Sequence, residues 1–479
     1  MHKRYSINLY FTLQCVQGII LLLKVDGKMI NNILRRIITI ICIGGVLCSF
    51  SGCEYIGVSR KNLEVVTIWS PDGHSKLEMD KIIKRFNETK GKEWGVKIKY
   101  EVKLNDLNLL LDEAFKKGNA PDIFYGGDKE ALAEAGKIVA FNDLPGGEEF
   151  INSYGDYKKN IFYYKDKAYA VPYGQYVRGL IYNKDMFKAA GLVDENGDAL
   201  PPKTLNEYAE YAKQLTDRRR NQYGIILPIA WKDFYYSDVD SLMDVSGSYF
   251  NRQTLSFDYR SAAPIWETFM KIKEDRSYYP GAEKMANDAA RACFAEGKIG
   301  MKISYSYDVG VLNNQFTAKC DWGVAPLPVL DENNSYCSTG GYKIGPVINS
   351  QLVEKIGADK TLKVYEWLMG EEVLKTLYEE GMEIPYSLDI VKSANLENAP
   401  KGWQEFVDLA SEVYVQPINL VRVDGVNEIF MEVWRCQKTV EQGLIEYTEM
   451  ANRNFENYCA THPQFDADLL KTVELKKKK

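Results

Sequence analysis

From Leu63 onward the chain alternates between two hydrophobic periods. Leu63 to Trp69 reads as a strand, and Ser70-Pro71-Asp72-Gly73 breaks it. Met79, Ile82, Ile83 and Phe86 then recur at the three-to-four spacing of one apolar helix face, and Val96 to Val102 returns to a strand pattern. Helix Leu107 to Lys116, strand Asp122 to Tyr125 and helix Lys129 to Ala135 repeat the alternation. Strands separated by helices of this length predict parallel pairing through crossover helices. The pattern restarts at Gly179 to Asn183, followed by Pro201-Pro202, helix Leu205 to Thr216 and strand Gly224 to Ile229. Helices over 263–273 and 288–296, strands over 298–303, 322–330 and 342–347, and an amphipathic helix over 360–369 complete the middle of the chain. At 479 residues the chain exceeds the ~250–300 at which one hydrophobic core stops growing. The expectation is an α/β fold of two lobes, each a mostly parallel sheet flanked by helices. No internal repeat is visible. From Ala399 the chain is helix-rich, and its four final lysines read as a solvated end.

The N-terminus departs from this pattern. Arg35 and Arg36, the apolar run Ile37 to Leu47 and the small-residue stretch Ser49-Phe50-Ser51-Gly52 precede Cys53. Positive flank, apolar centre and small residues at a cut define a secretory signal. From Ile37 to Phe50 the run is shorter than the ~20 residues of a membrane-spanning helix. It resembles a bacterial lipoprotein signal, which implies lipidation of Cys53. The expected organisation is a signal region at 1–52, with 1–28 a mis-set start before Met29, and a lipidated tether at 53–62.

Composition narrows the class. With 46% hydrophobic and 26% charged residues and a net charge of −6, the chain is globular, and no basic excess suggests nucleic acid as a partner. Removing residues 1–52 takes away six basic groups and one acidic group, which moves the charge to −11. Such a protein is repelled from an anionic cell surface unless anchored, and two acyl chains supply that anchor. Beyond Cys53 stand Cys293, Cys320, Cys337, Cys436 and Cys459, none in a C-x-x-C pair. They read as buried reduced thiols, with a Cys320–Cys337 disulfide as the alternative.

Several stretches resemble the family-1 extracellular solute-binding proteins, the group that contains periplasmic maltose-binding protein. They are Ala120-Pro121-Asp122-Ile123-Phe124-Tyr125 with Ala135-Gly136-Lys137-Ile138, then Val171-Pro172-Tyr173 running into Leu180-Ile181-Tyr182-Asn183-Lys184-Asp185 and Pro202-Lys203-Thr204, then Phe294-Ala295-Glu296-Gly297-Lys298-Ile299-Gly300-Met301, with Gly340-Gly341-Tyr342 after them. They keep the family's order and spacing. The resemblance implies a lipid-anchored receptor of an ABC importer, monomeric and without cofactor, whose closed form docks on the membrane permease. It also implies hinge crossings near Tyr176 to Gly179, Ser338 to Gly341 and Met382 to Tyr386. That places lobe 1 at 63–176 plus 341–383, lobe 2 at 180–337 plus 387–470, and a basic tail at 471–479.

A sugar presents apolar C–H faces and a rim of hydroxyls, so its receptor needs aromatic planes with carboxylates or amides around them. Ligands of parallel sheets bind beyond the carboxyl ends of the strands. By position in the matched motifs, Trp69, Asp72, Tyr125 and Asp128 line the first lobe's side of the cleft, and Tyr173 and Tyr176 stand by the hinge. Trp231, Tyr235, Tyr305 and Tyr307 come from the second lobe, with Tyr342 near the return crossing. Asp72 reads equally well as a turn residue bonding its own backbone, and Asp128 as the cap of the helix starting at Lys129.

Other functions fit less well. A secreted glycoside hydrolase needs two carboxylates across the scissile bond, and Asp72 and Asp128 would share one lobe. His2 precedes the signal, leaving His74 and His462, too few for a Ser-His-Asp set or a histidine zinc site. Asp194-Glu195-Asn196-Gly197-Asp198 lacks the bidentate glutamate of a calcium loop and reads as a surface turn. A peptide receptor of the same architecture stays open as an alternative.

Overall fold

The computed structural model describes residues 63–472 apart from 105, 337–339, 411–424 and 462–464. The signal region, Cys53, Cys337, Ser338, His462 and the terminal lysines therefore lie outside the described residues.

Strands β1 (Glu64–Ser70), β2 (Val96–Val102) and β3 (Ile123–Phe124) open the chain. A hairpin of β4 (Phe162–Tyr164) and β5 (Lys167–Ala170) precedes the long β6 (Pro172–Asn183) and the short β7 (Tyr223–Ile225). After the hairpin β8 (Phe250–Asn251) and β9 (Ser256–Phe257) come β10 (Ile299–Tyr305), β11 (Trp322–Ala325), β12 (Gly340–Ile344), β13 (Val347–Ile348) and β14 (Ile384–Pro385).

Two larger sheets result. The first has the order β13-β3-β1-β2, with β1 parallel to β2 and β3 and the late strand β13 antiparallel to β3. Val66 and Ile68 on one face of β1 meet Met79, Ile82, Ile83 and Phe86 of helix Lys76–Glu88, the apolar stripe expected from spacing. The same core takes Leu362, Tyr365 and Trp367 from helix Ala358–Leu368, more than 200 residues further on. The second sheet runs β11-β6-β10-β7 around its own core, to which Trp266, Phe430, Trp434 and Tyr447 contribute.

The expectation of mostly parallel sheets fails in the second lobe. Of its ladders only β10 to β7 is parallel, and β6 runs antiparallel to both β10 and β11. The reason is that β6 is longer than the expected Gly179 to Asn183 and serves two regions. Its second half pairs with β10 and β11, while its first half, around Gly174 and Gln175, lies between β12 and β14. Apart from Ser338 and Thr339, which lie outside the described residues, the segments expected as crossings contribute to β6, β12 and β14, which pair antiparallel. Gly341 is required there by close approach, since a Cβ would fall 2.6 Å from the Tyr176 hydroxyl.

Cys293, Cys320, Cys436 and Cys459 are free thiols. None of the four is buried as expected: Cys293, Cys320 and Cys459 are partly buried, and Cys436 is exposed at a helix end with a left-handed φ of 59°.

Candidate ligand-binding cleft

The ribbon lies where the two cores meet, with Tyr173 of β6 in the first core and Leu180 and Tyr182 in the second. Directly opposed residues of an antiparallel pair share a face, so Gly174 with Lys343 and Tyr176 with Gly341 project to the same side. Gly174 leaves the space that the Glu383 carboxyl fills, a Cβ there falling 2.1 Å from Oε1.

Around the ribbon a chain of contacts connects both lobes. From the turn after β1, Asp72 accepts a hydrogen bond of 3.0 Å from the Tyr173 hydroxyl, and Tyr125 meets Tyr173 edge-on at 5.8 Å. From the second lobe, Tyr305 and Tyr307 stack at 4.9 Å with planes 9° apart, while Tyr176 and Trp231 meet Tyr305 edge-on at 5.4 and 6.1 Å. Lys343 joins the halves: its ammonium lies 5.1 Å from the Tyr173 ring and 5.8 Å from the Tyr307 ring, pairs with Glu383 and stands 3.6 Å from Asp72.

One ammonium between two carboxylates divides them. Burial would push Asp72 up, but Lys343 and the Tyr173 hydroxyl hold it below the usual carboxylate range. Glu383, more deeply buried, is pushed up to about 7, with Lys343 offsetting only part of that burial. Lys343 itself is raised despite its burial by the two carboxylates. On the second-lobe wall Arg291 pairs with the buried Asp308, and its guanidinium lies 6.0 Å from the Tyr307 ring. Arg178 lies 5.6 and 5.4 Å from the rings of Tyr176 and Tyr305.

Asp72, Tyr125, Tyr173, Tyr176, Trp231, Tyr305 and Tyr307 are thus brought together, and four expected residues are not. Tyr235 is fully buried in the second-lobe core, edge-on to Trp266, Phe430 and Tyr447. Trp231 lies at a bend, whereas Tyr235 begins the π-helical segment Tyr235–Val239 that turns into the core. Tyr342 is 44% exposed and packs edge-on against Tyr386, because strand alternation turns it away from the face that Lys343 occupies. Trp69 lies under the Lys103 ammonium at 4.4 Å and packs on the cluster of Leu111 and Phe124. Asp128 is exposed and caps helix Lys129–Glu134, accepting from the Ala131 amide at 3.0 Å. With Asp72 tied to Lys343 and Asp128 in a cap, the two carboxylates do not form a hydrolytic pair.

Sequence reasoning missed Lys343, Glu383, Arg178, Arg291 and Asp308 as parts of the site. The available signal was a lone charge inside an otherwise apolar strand, as at Arg178 beside Val177 and Leu180. Asp194 folds onto its own backbone, accepting from the Asn196 and Asp198 amides at 2.9 Å each. Among the described residues no group of His, Cys, Asp and Glu is disposed to hold a metal.

Two cores joined by a shared strand, with aromatic rings and buried charges at their junction, define a two-lobed solute-binding fold. Residues 73–375 match the family of bacterial extracellular solute-binding proteins, and the chain belongs to that family of receptors, which are not enzymes. Over 319 residues it is 24% identical to a maltotriose-binding protein of Pyrococcus abyssi, covering 64% of this chain and 63% of that one. Over 289 residues it is 25% identical to the diacetylchitobiose-binding protein DasA of Streptomyces coelicolor, covering 57% and 64%. The matched region thus spans just under two thirds of these relatives' own length. Among solved structures, maltose-bound MalE3 of T. maritima superposes with a TM-score of 0.65 at 16% identity, covering 82% of this chain and 99% of that one. An ABC transporter solute-binding protein of Thermotoga lettingae with bound α-D-tagatose gives 0.62 at 20% identity, covering 82% and 100%. At these identities the likeness is one of fold.

Proposed function

We propose that the chain is a lipid-anchored receptor outside the bacterial cell membrane that binds a carbohydrate-type ligand between its lobes and delivers it to the permease of an ABC importer. The observation that carries the ligand class is the ring cluster Tyr125, Tyr173, Tyr176, Tyr305, Tyr307 and Trp231 around the Asp72–Lys343–Glu383 group. Flat rings supply stacking faces for C–H surfaces, and the charged group supplies donors and acceptors for hydroxyls. Relatives named for oligosaccharide binding support this reading. The lobes are 63–176 plus 341–383 and 180–337 plus 387–470, turning about the β6 ribbon. Closure follows from contacts that a ligand makes with both lobes at once. Cys53 carries the anchor, and the receptor acts as a monomer.

The test is thermal-shift screening, followed by calorimetric titration, of the chain from Glu54 onward against monosaccharides, oligosaccharides, polyols and short peptides. A ligand that binds only the folded receptor raises its melting temperature. Binding of a saccharide or polyol without turnover supports the proposal. Binding of peptides alone, or hydrolysis of a bound glycoside, overturns it.

A further inference from the structure

A cavity of about 670 Å³ opens beside the end of β14. Its volume falls within the ~300–1,000 Å³ of small-molecule sites. Of the residues gathered in the cleft, only Tyr173 reaches its wall. Three further rings line it. Tyr154 follows helix Gly147–Ser153, Tyr157 belongs to the helical turn Gly155–Asn160, and Tyr386 leaves β14. Tyr157 meets Tyr386 edge-on at 4.3 Å, and Tyr342, turned away from Lys343, packs on Tyr386 at 5.2 Å.

The rest of the wall is acidic. Glu366 from the last turn of helix Ala358–Leu368, Glu371 at the start of helix Glu371–Glu379 and Asp389 of helix Leu388–Ser393 bring three carboxylates, against the one ammonium of Lys392. Glu371 accepts from the Ser393 hydroxyl at 3.1 Å and stands 3.8 Å from the Lys375 ammonium. Among the described residues no hydrogen bond or ion pair engages the carboxylates of Glu366 and Asp389. Glu366 is exposed as a residue, yet burial on this wall raises its carboxyl, and its charge joins burial in raising the Tyr154 hydroxyl. A neutral ligand leaves these charges uncompensated. A cation offsets them, and it is also attracted to the negative faces of the rings.

We propose that this cavity is a second binding site, which takes a small organic cation: a protonated amine held among Glu366, Glu371 and Asp389, with its apolar body against Tyr154, Tyr157 and Tyr386. The site does not rest on the function proposed above.

The test is calorimetric titration of the chain from Glu54 onward, which contains every described residue, with phenethylamine and with its neutral analogue phenethyl alcohol at neutral pH. The amine is expected to bind and the alcohol to bind more weakly. Glu366→Gln and Tyr157→Ala should each lower the affinity for the amine about two- to fivefold, the range for one partly exposed ion pair or ring contact. Glu366 is exposed, so its substitution spares the core, and thermal unfolding checks that both variants fold. Tyr307→Ala, which alters the cleft, should leave amine binding unchanged. No binding of phenethylamine, equal binding of the alcohol, or undiminished amine affinity in both folded variants overturns the proposal. A loss of amine binding in Tyr307→Ala places the amine in the cleft and overturns it as well.

Discussion

The Tyr173 hydroxyl donates to the Asp72 carboxylate across 3.0 Å, tying the β6 ribbon to the turn that carries His74. Asp72 is held below its usual range against burial by Lys343 and by this bond. A carboxylate depressed in the folded state stabilises it above the unfolded value near 3.8 and loses that contribution as pH falls through the lower folded value. Tyr173→Phe is therefore expected to cost about 1.5–3 kcal/mol of unfolding free energy at pH 7, the range for a hydrogen bond to a charged group. Denaturant unfolding at pH 7 and pH 3 checks it, and the cost should shrink at the lower pH. An equal cost at both would assign the effect to packing.

Glu383 behaves in the opposite sense. Its folded value is raised to about 7, so its ionisation opposes folding increasingly from the unfolded value of 4.5 up to about 7. Glu383→Gln should raise the melting temperature at pH 8, by the equivalent of up to about 3 kcal/mol, and change it much less at pH 5. Thermal scans at the two values decide this, and a variant less stable at pH 8 would refute it.

The rings are tested by truncation. Tyr125→Ala and Tyr307→Ala are each expected to weaken saccharide binding by about 1–3 kcal/mol, or roughly 5- to 150-fold. Neither ring is fully buried, so the melting temperature of each unliganded variant should fall less than the ~3–5 kcal/mol cavity cost of a core aromatic would produce. Calorimetry beside thermal unfolding separates the two effects.

Much of this fold was legible because one-sided burial writes a period into the sequence. Helix Lys76–Glu88 and strand β2 fall where spacing put them. Strand ends misled where backbone chemistry intervened: the expected 322–330 stops at Ala325, before Pro326 and Pro328, which cannot donate to a ladder. The expected 342–347 divides at Gly345-Pro346 into β12 and β13, which join different sheets. Pairing direction in the second lobe escaped because β6 meets strands from four distant segments. In the cleft, aromatic residues at strand ends gave a visible signal. Lys343 and Glu383 did not, since which face of a short hinge strand looks into the cleft depends on register, and a one-residue change exchanges Tyr342 for Lys343.

Anchoring has its own test. Cys53→Ser should leave the precursor uncleaved or release the protein from the membrane fraction, followed by immunoblotting of fractionated cells. Normal processing with unchanged membrane retention would rule out lipidation at that residue.

The first-lobe core draws on Val66 of β1 and Met382 just before β14, so its residues span most of the described chain. A chain emerging N-terminus first exposes β1 to β3 long before helix Ala358–Leu368 and β13 arrive to cover and extend them. Until then the emerged part lacks the partners that would let it lock. The first-lobe core is therefore complete only once the chain has emerged as far as Met382, and its earliest strands wait through most of synthesis for the segments that cover them.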